Sequence, residues 1–120
     1  MKIITIYFMA ILTLVLSSES FAAAGIQKGT VEYVRVHDTQ HGGWQPPMFW
    51  FTLNGVTNAA SCATWQGNVL FIADSEYMLT LLLSTQISGK EIAVRYDDSR
   101  KTNGFCRADY VTTGNPPSLK

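Results

Sequence analysis

The first residues of the chain decide how much of it is left to fold. Met1-Lys2 opens a short basic stretch, and Ile3 to Leu16 is apolar apart from Thr5 and Thr13. Ser17-Ser18-Glu19-Ser20 ends that run, and Phe21-Ala22-Ala23-Ala24 offers small residues to a signal peptidase. A basic start, an apolar centre and a small-residue cut site together make a secretory signal. The apolar run also falls short of the ~20 residues that a membrane-spanning helix needs. Residues 1–24 are therefore expected to be removed. Cleavage after Ala22 and cleavage after Ala24 suit the pattern equally.

Of 120 residues, the loss of 24 leaves 96, the span 25–120, which is one domain. A domain of that size buries only about 60–70% of its unfolded surface, so a cross-link matters to it. The two cysteines, Cys62 and Cys106, both lie in the mature part. Export to an oxidising compartment, secreted or periplasmic, predicts that they pair, a bridge worth about 2–4 kcal/mol. Removing Lys2 and Glu19 from nine basic and nine acidic side chains leaves eight of each. A neutral chain lacks the basic excess that nucleic acid or anionic lipid demands. It suits a partner recognised by shape, stacking and hydrogen bonds.

The pattern predicts a mainly β domain with one helix. Strands are expected at Thr30–His37, Met48–Leu53, Asn68–Ala73, Glu91–Tyr96 and Phe105–Val111. Between them lie a Gly- and Pro-rich loop from Asp38 to Pro47, an irregular stretch from Thr57 to Gly67 and a polar loop from Asp97 to Gly104. Thr112 to Lys120 reads as a loose tail. The helix lies between the third and fourth strands. Asp74 or Ser75 can cap its start, Glu76 suits its first turn, and Gly89 stands where a left-handed cap is wanted. Glu76, Thr80, Ser84 and Ser88 form one narrow polar stripe, while Tyr77, Met78, Leu79, Leu81, Leu82 and Leu83 fill most of the rest. A surface helix ordinarily carries a wider polar face, so this one is expected to have a second neighbour. Met78, Leu79, Leu82 and Leu83 are the candidates for contact with another copy. The order strand-strand-strand-helix-strand-strand is that of an OB-fold, a small five-stranded Greek-key barrel. An α+β sheet with a helix on one face is the competing arrangement.

Residues that carry chemistry are sparse. No phosphate loop, paired-cysteine metal motif or nucleophile elbow is present, and no cofactor is implied. His37 and His41 leave a strand for a loop and lack the one-face helical spacing of good metal ligands. Asp97 and Asp98 are adjacent, so in an extended chain they point apart and make a poor acid–base pair. The aromatic residues are more suggestive. Trp44 sits beside Gly43 and Gln45 with His41 close by, and aromatic faces near amides and hydroxyls suit a sugar ring. His41, Trp44 and Gln45, with Asp38 and Gln40, are therefore the candidate contacts for a glycan. Trp50, mid-strand, is expected to be packed, and Trp65 to lie near the Cys62 bridge.

Several of these features occur together in a known family. The leader, the opening strand Gly29-Thr30-Val31-Glu32-Tyr33-Val34, Ser61-Cys62-Ala63, the helix end Leu81-Leu82-Leu83-Ser84-Thr85-Gln86-Ile87-Ser88-Gly89-Lys90 and Cys106 near the last strand resemble the B subunit of subtilase cytotoxin and its short secreted relatives. The resemblance implies an OB-fold subunit in a ring of five with helices lining the centre. It also implies recognition of sialylated or other host glycans and delivery of a separate catalytic A subunit. A closed head-to-tail ring needs two different contact surfaces on each subunit, and the apolar helix suits one of them. The family's sugar pocket uses a serine and an acidic residue around the first strand and a tyrosine near the helix end. Lys28-Gly29-Thr30 and Thr85-Gln86 stand in those neighbourhoods here, so that pocket does not transfer residue by residue.

The function expected is that of a secreted, non-enzymatic glycan-binding subunit. A protein-binding or inhibitory module on the same barrel is the alternative. A small secreted hydrolase would rest on His37 and His41 alone.

Overall fold

The computed structural model describes residues 23–114. Its strands are β1 (Ala24–His37), β2 (Met48–Leu53), β3 (Thr64–Trp65), β4 (Asn68–Ala73), β5 (Glu91–Thr102) and β6 (Phe105–Thr113), and its helix is α1 (Glu76–Ser88). Pairing runs from β1 to β2, β4, β6 and β5 and then back to β1. The sheet therefore closes on itself as a five-stranded barrel. β4 and β6 are parallel, with Phe71 opposite Cys106, and the other barrel pairs are antiparallel. Three strands, a helix and two more strands on a closed barrel are an OB-fold-like arrangement. The two-residue β3 adds a short flap to the edge of β4.

The barrel interior is filled by alternate residues of the strands, because successive side chains of a strand point to opposite faces. Phe49, Phe51 and Leu53 of β2 meet Val69, Phe71 and Ala73 of β4, with Ile92, Val94 and Tyr96 from β5. Leu82 of α1 joins them with no exposed surface, and Met78 and Leu79 pack half-buried against the same core. Ser75 Oγ accepts the Met78 N–H at 3.3 Å at the helix start. Gly89 ends the helix at φ 69°, and its N–H bonds back to Thr85 O. Gln86 donates its amide to Glu32 O at 2.9 Å and so fastens the helix to β1.

Cys62 and Cys106 are bridged, with Cα atoms 5.3 Å apart. The bridge ties the long connection after β2 to the start of β6. A small disulfide-bonded domain is compatible with an extracellular or periplasmic location.

Several stretches differ from the sequence expectation. β1 begins at Ala24 rather than Thr30, because Ala24–Thr30 pairs residue by residue with Asp97–Glu91 of β5. Gly29 permits this: a Cβ there would lie 2.9 Å from Asn54 O and 3.2 Å from Leu53 Cβ. β5 in turn runs on through the polar segment to Thr102. A register irregularity between Tyr96 and Lys101 carries it to the Asn103-Gly104 turn. The expected tail is partly strand, since Thr112 and Thr113 pair with Ala93 and Ile92. Residues 115–120 lie outside the described residues, as do residues 1–22 of the expected leader.

Candidate functional site

The outer face of β2 and β4 is where this barrel departs from simple alternation. All six residues of β2 are buried, as are the last five of β4. One row of each strand fills the barrel. The other row, Met48 and Trp50 with Leu70 and Ile72, forms a second apolar cluster on the outside. Trp44 from the first loop, Trp65 from β3 and Phe105 at the start of β6 cover it.

β1 supplies the border of this cluster. Tyr33, Arg35 and His37 alternate along one side of the strand. Tyr33 meets the Trp65 ring edge-on at 5.7 Å. The Arg35 guanidinium lies 4.8 Å from the Trp50 ring centre and 5.7 Å from that of Trp65, within cation–π range. His37 is buried, and its Nε2 accepts the Trp50 indole N–H at 3.2 Å. That bond assigns the neutral tautomer with its proton on Nδ1. Burial holds the imidazole below its ordinary titration range, and the charges of Arg35 and His41 push it the same way.

The first loop places Trp44. Gly42 and Gly43 both have positive φ, 58° and 88°, which lets the chain reverse between His41 and Trp44. The Trp44 N–H donates to His41 O at 3.0 Å. The Trp44 ring is stacked against His37 at 5.6 Å and against Phe105 at 5.8 Å. Beside it opens a hollow of about 120 Å³ lined by Trp44, Gln45, Met48, Ile72, Thr102 and Arg107. Its apolar wall is the edge of the outer cluster. Gln45, Thr102 and Arg107 add an amide, a hydroxyl and a guanidinium to its lining. Asp74 orients the guanidinium through a 3.1 Å contact with Arg107 Nη2.

Of the expected glycan contacts, Trp44 and Gln45 therefore line one hollow. Asp38, Gln40 and His41 are exposed on the same loop but do not line it. Thr102 and Arg107 were not foreseen. The sequence held one signal for Arg107. A half-cystine facing the core at Cys106 makes the next strand residue face outward. Trp50 is packed, as expected. The rings that Trp65 meets are those of Tyr33 and Trp50, on the outer face.

On the helix, Leu82 is enclosed within its own chain and has no surface to offer a second copy. Leu83 is exposed, and so are two residues not anticipated for such a contact, Tyr77 and Ile87, at 91% and 88%. The hollow beside them, about 310 Å³, is lined mainly by Tyr77, Met78, Leu81, Tyr110 and Val111. Among the described residues no group of three His, Cys, Asp or Glu side chains is placed to hold a metal ion.

No family model, curated protein or solved structure matches the chain.

Proposed function

We propose that this chain is a secreted, non-enzymatic binding subunit that recognises a glycan in the hollow beside Trp44. The observation that carries the reading is the position of that hollow. It lies over β2 and β4, between the first loop and the Lys101–Phe105 end of the β5–β6 hairpin. Those are the strands and loops on which OB-folds hold oligosaccharides and oligonucleotides. A fold alone does not assign a function, so the local chemistry has to choose. The neutral charge disfavours a polyanion. A lining that combines an indole with an amide, a hydroxyl and a guanidinium suits a ring with one apolar face and hydroxyl or carboxylate substituents.

A glycan array probed with the purified mature protein tests this reading. Binding that Gln45→Ala or Thr102→Val weakens at least about tenfold supports it, a loss of roughly 1.4 kcal/mol. No binding to any glycan, or binding indifferent to both substitutions, removes it.

Assembly is the second element of the proposal. Tyr77, Leu83 and Ile87 lie on the outward side of α1, and a second copy of the chain is the occupant we propose for them. The resemblance to the toxin B subunits supplies the ring of five and, with it, a catalytic A-type partner. Native mass measurement on the mature protein decides between a ring and a monomer. A monomer would turn Tyr77 and Ile87 towards the alternative, a protein-binding module, which a pull-down from periplasm or culture supernatant would identify.

A further inference from the structure

Asp98 ties three parts of the chain together at one end of the barrel. Its Oδ1 accepts the Ala23 N–H at 2.7 Å, and its own N–H donates to Ala23 O at 2.9 Å. Its Oδ2 accepts from the Ser61 hydroxyl at 2.8 Å. Lys101 Nζ donates to the same hydroxyl at 2.7 Å and to Ser61 O at 3.2 Å. Ser61 immediately precedes the bridged Cys62. One carboxylate thus joins the start of β1 to the disulfide loop. The Ala23 N–H, and after it the Ser61 hydroxyl, hold that carboxyl below the usual carboxylate range.

We infer that the mature chain begins at Ala23, and that the α-ammonium released there pairs with the Asp98 carboxylate. The inference rests on the reading of residues 1–24 as an export signal. Both Ser20-Phe21-Ala22 and Ala22-Ala23-Ala24 present small residues at the cut and two positions before it. The leader sequence therefore leaves two cuts open, and the barrel distinguishes them. Cleavage after Ala24 removes both bonds between Ala23 and Asp98 and the rung between Ala24 and Asp97. It leaves Oδ1 without the donor it now has. Cleavage after Ala22 keeps every one of these contacts. A signal peptidase adds water across the Ala22–Ala23 amide, hydroxyl to the Ala22 carbonyl and hydrogen to the Ala23 nitrogen. That nitrogen takes up a further proton and becomes a cation facing the carboxylate, a stronger contact than the neutral amide makes. Asp98 is the charged group in contact with that nitrogen, Asp97 pairs by backbone with the next residue, and Lys101 reaches the site through Ser61.

Export of the full chain from a host with a signal peptidase, followed by intact mass and N-terminal sequencing, tests the cut. The expected sequence is Ala-Ala-Gly-Ile. A chain starting at Gly25 overturns this inference while leaving the export reading intact, and a retained leader overturns both. Labelling of the α-amine by an amine-reactive ester at neutral pH tests the pairing. It should proceed severalfold faster in Asp98→Asn than in the parent, with the Cys62–Cys106 bridge confirmed intact in both. Equal rates would overturn the ion pair.

Discussion

Protonating His37 should loosen the outer cluster. The imidazole is 8% exposed and accepts the Trp50 N–H on Nε2. A proton on Nε2 turns that acceptor into a donor and leaves two donors facing each other, with Trp44 stacked on the same ring. Because burial lowers the folded-state titration of His37, the unfolded chain binds the proton first. Stability is then complete above the unfolded value, about 6.5, and is lost as pH falls from there through the lower folded value. One proton changes stability by at most about 1.4 kcal/mol per pH unit. For a domain of this size each kcal/mol moves Tm by about 4–8 °C. The melting temperature should therefore fall as pH drops below about 6.5, by at most several degrees per unit. Tryptophan fluorescence, which reports Trp44 and Trp50, should change in the same interval. His37→Gln keeps an acceptor near the indole but cannot titrate, so its profile should be flatter there. Asp97 and Asp98, both held below the usual carboxylate range by hydrogen bonds, act only below about pH 4 and do not overlap. A parent and a His37→Gln variant with the same slope from pH 7 to pH 5 would refute the reasoning.

Four further outcomes follow from the structure. Leu82→Ala should cost about 2–5 kcal/mol, read by chemical denaturation, because it empties a fully enclosed site. Ile87→Ser should leave the subunit's Tm within a few degrees, since its side chain is exposed, yet should lower the native mass if copies meet through α1. Reducing Cys62–Cys106, which closes 44 residues of chain, should cost about 2–4 kcal/mol, checked by melting with and without reductant. Arg107→Lys keeps the charge but loses the planar donor fork, so it should weaken glycan binding more than it lowers Tm.

Elements dense in apolar and aromatic residues, or marked by caps, were legible in the chain. Met48–Leu53 and Asn68–Ala73 read as strands to the residue, Gly89 marked the helix end, and the cap fell on Ser75, one of the two candidates with Asp74. The stretches missed were those whose strand character comes from a partner. Ala24–Gly29 contains two glycines and little β-branching, and it is extended because β5 lies beside it. Asp97–Thr102 is polar because it lies at the end of the barrel, where backbone pairing can persist without apolar side chains to signal it. The candidate site was half legible for the same reason. Trp44 and Gln45 stood out within one loop, whereas Thr102 and Arg107 reach the hollow only because the barrel closes.

That closure also couples binding to stability. Trp44 is at once a wall of the hollow and a cover for Met48, Trp50, Leu70 and Ile72. Its removal takes one of three aromatic covers off that cluster, so Trp44→Ala should lower Tm and ligand affinity together. A loss of binding in that variant therefore cannot by itself locate the ligand. Gln45 is exposed and Thr102 half-buried, and neither belongs to the outer cluster. Substitutions there change the hydrogen bonds offered to a ligand in the hollow and leave the outer cluster covered. If Gln45→Ala and Thr102→Val bind as the parent does while Trp44→Ala fails only in proportion to its lost stability, the aromatic wall is structural. The ligand must then be sought elsewhere on the barrel.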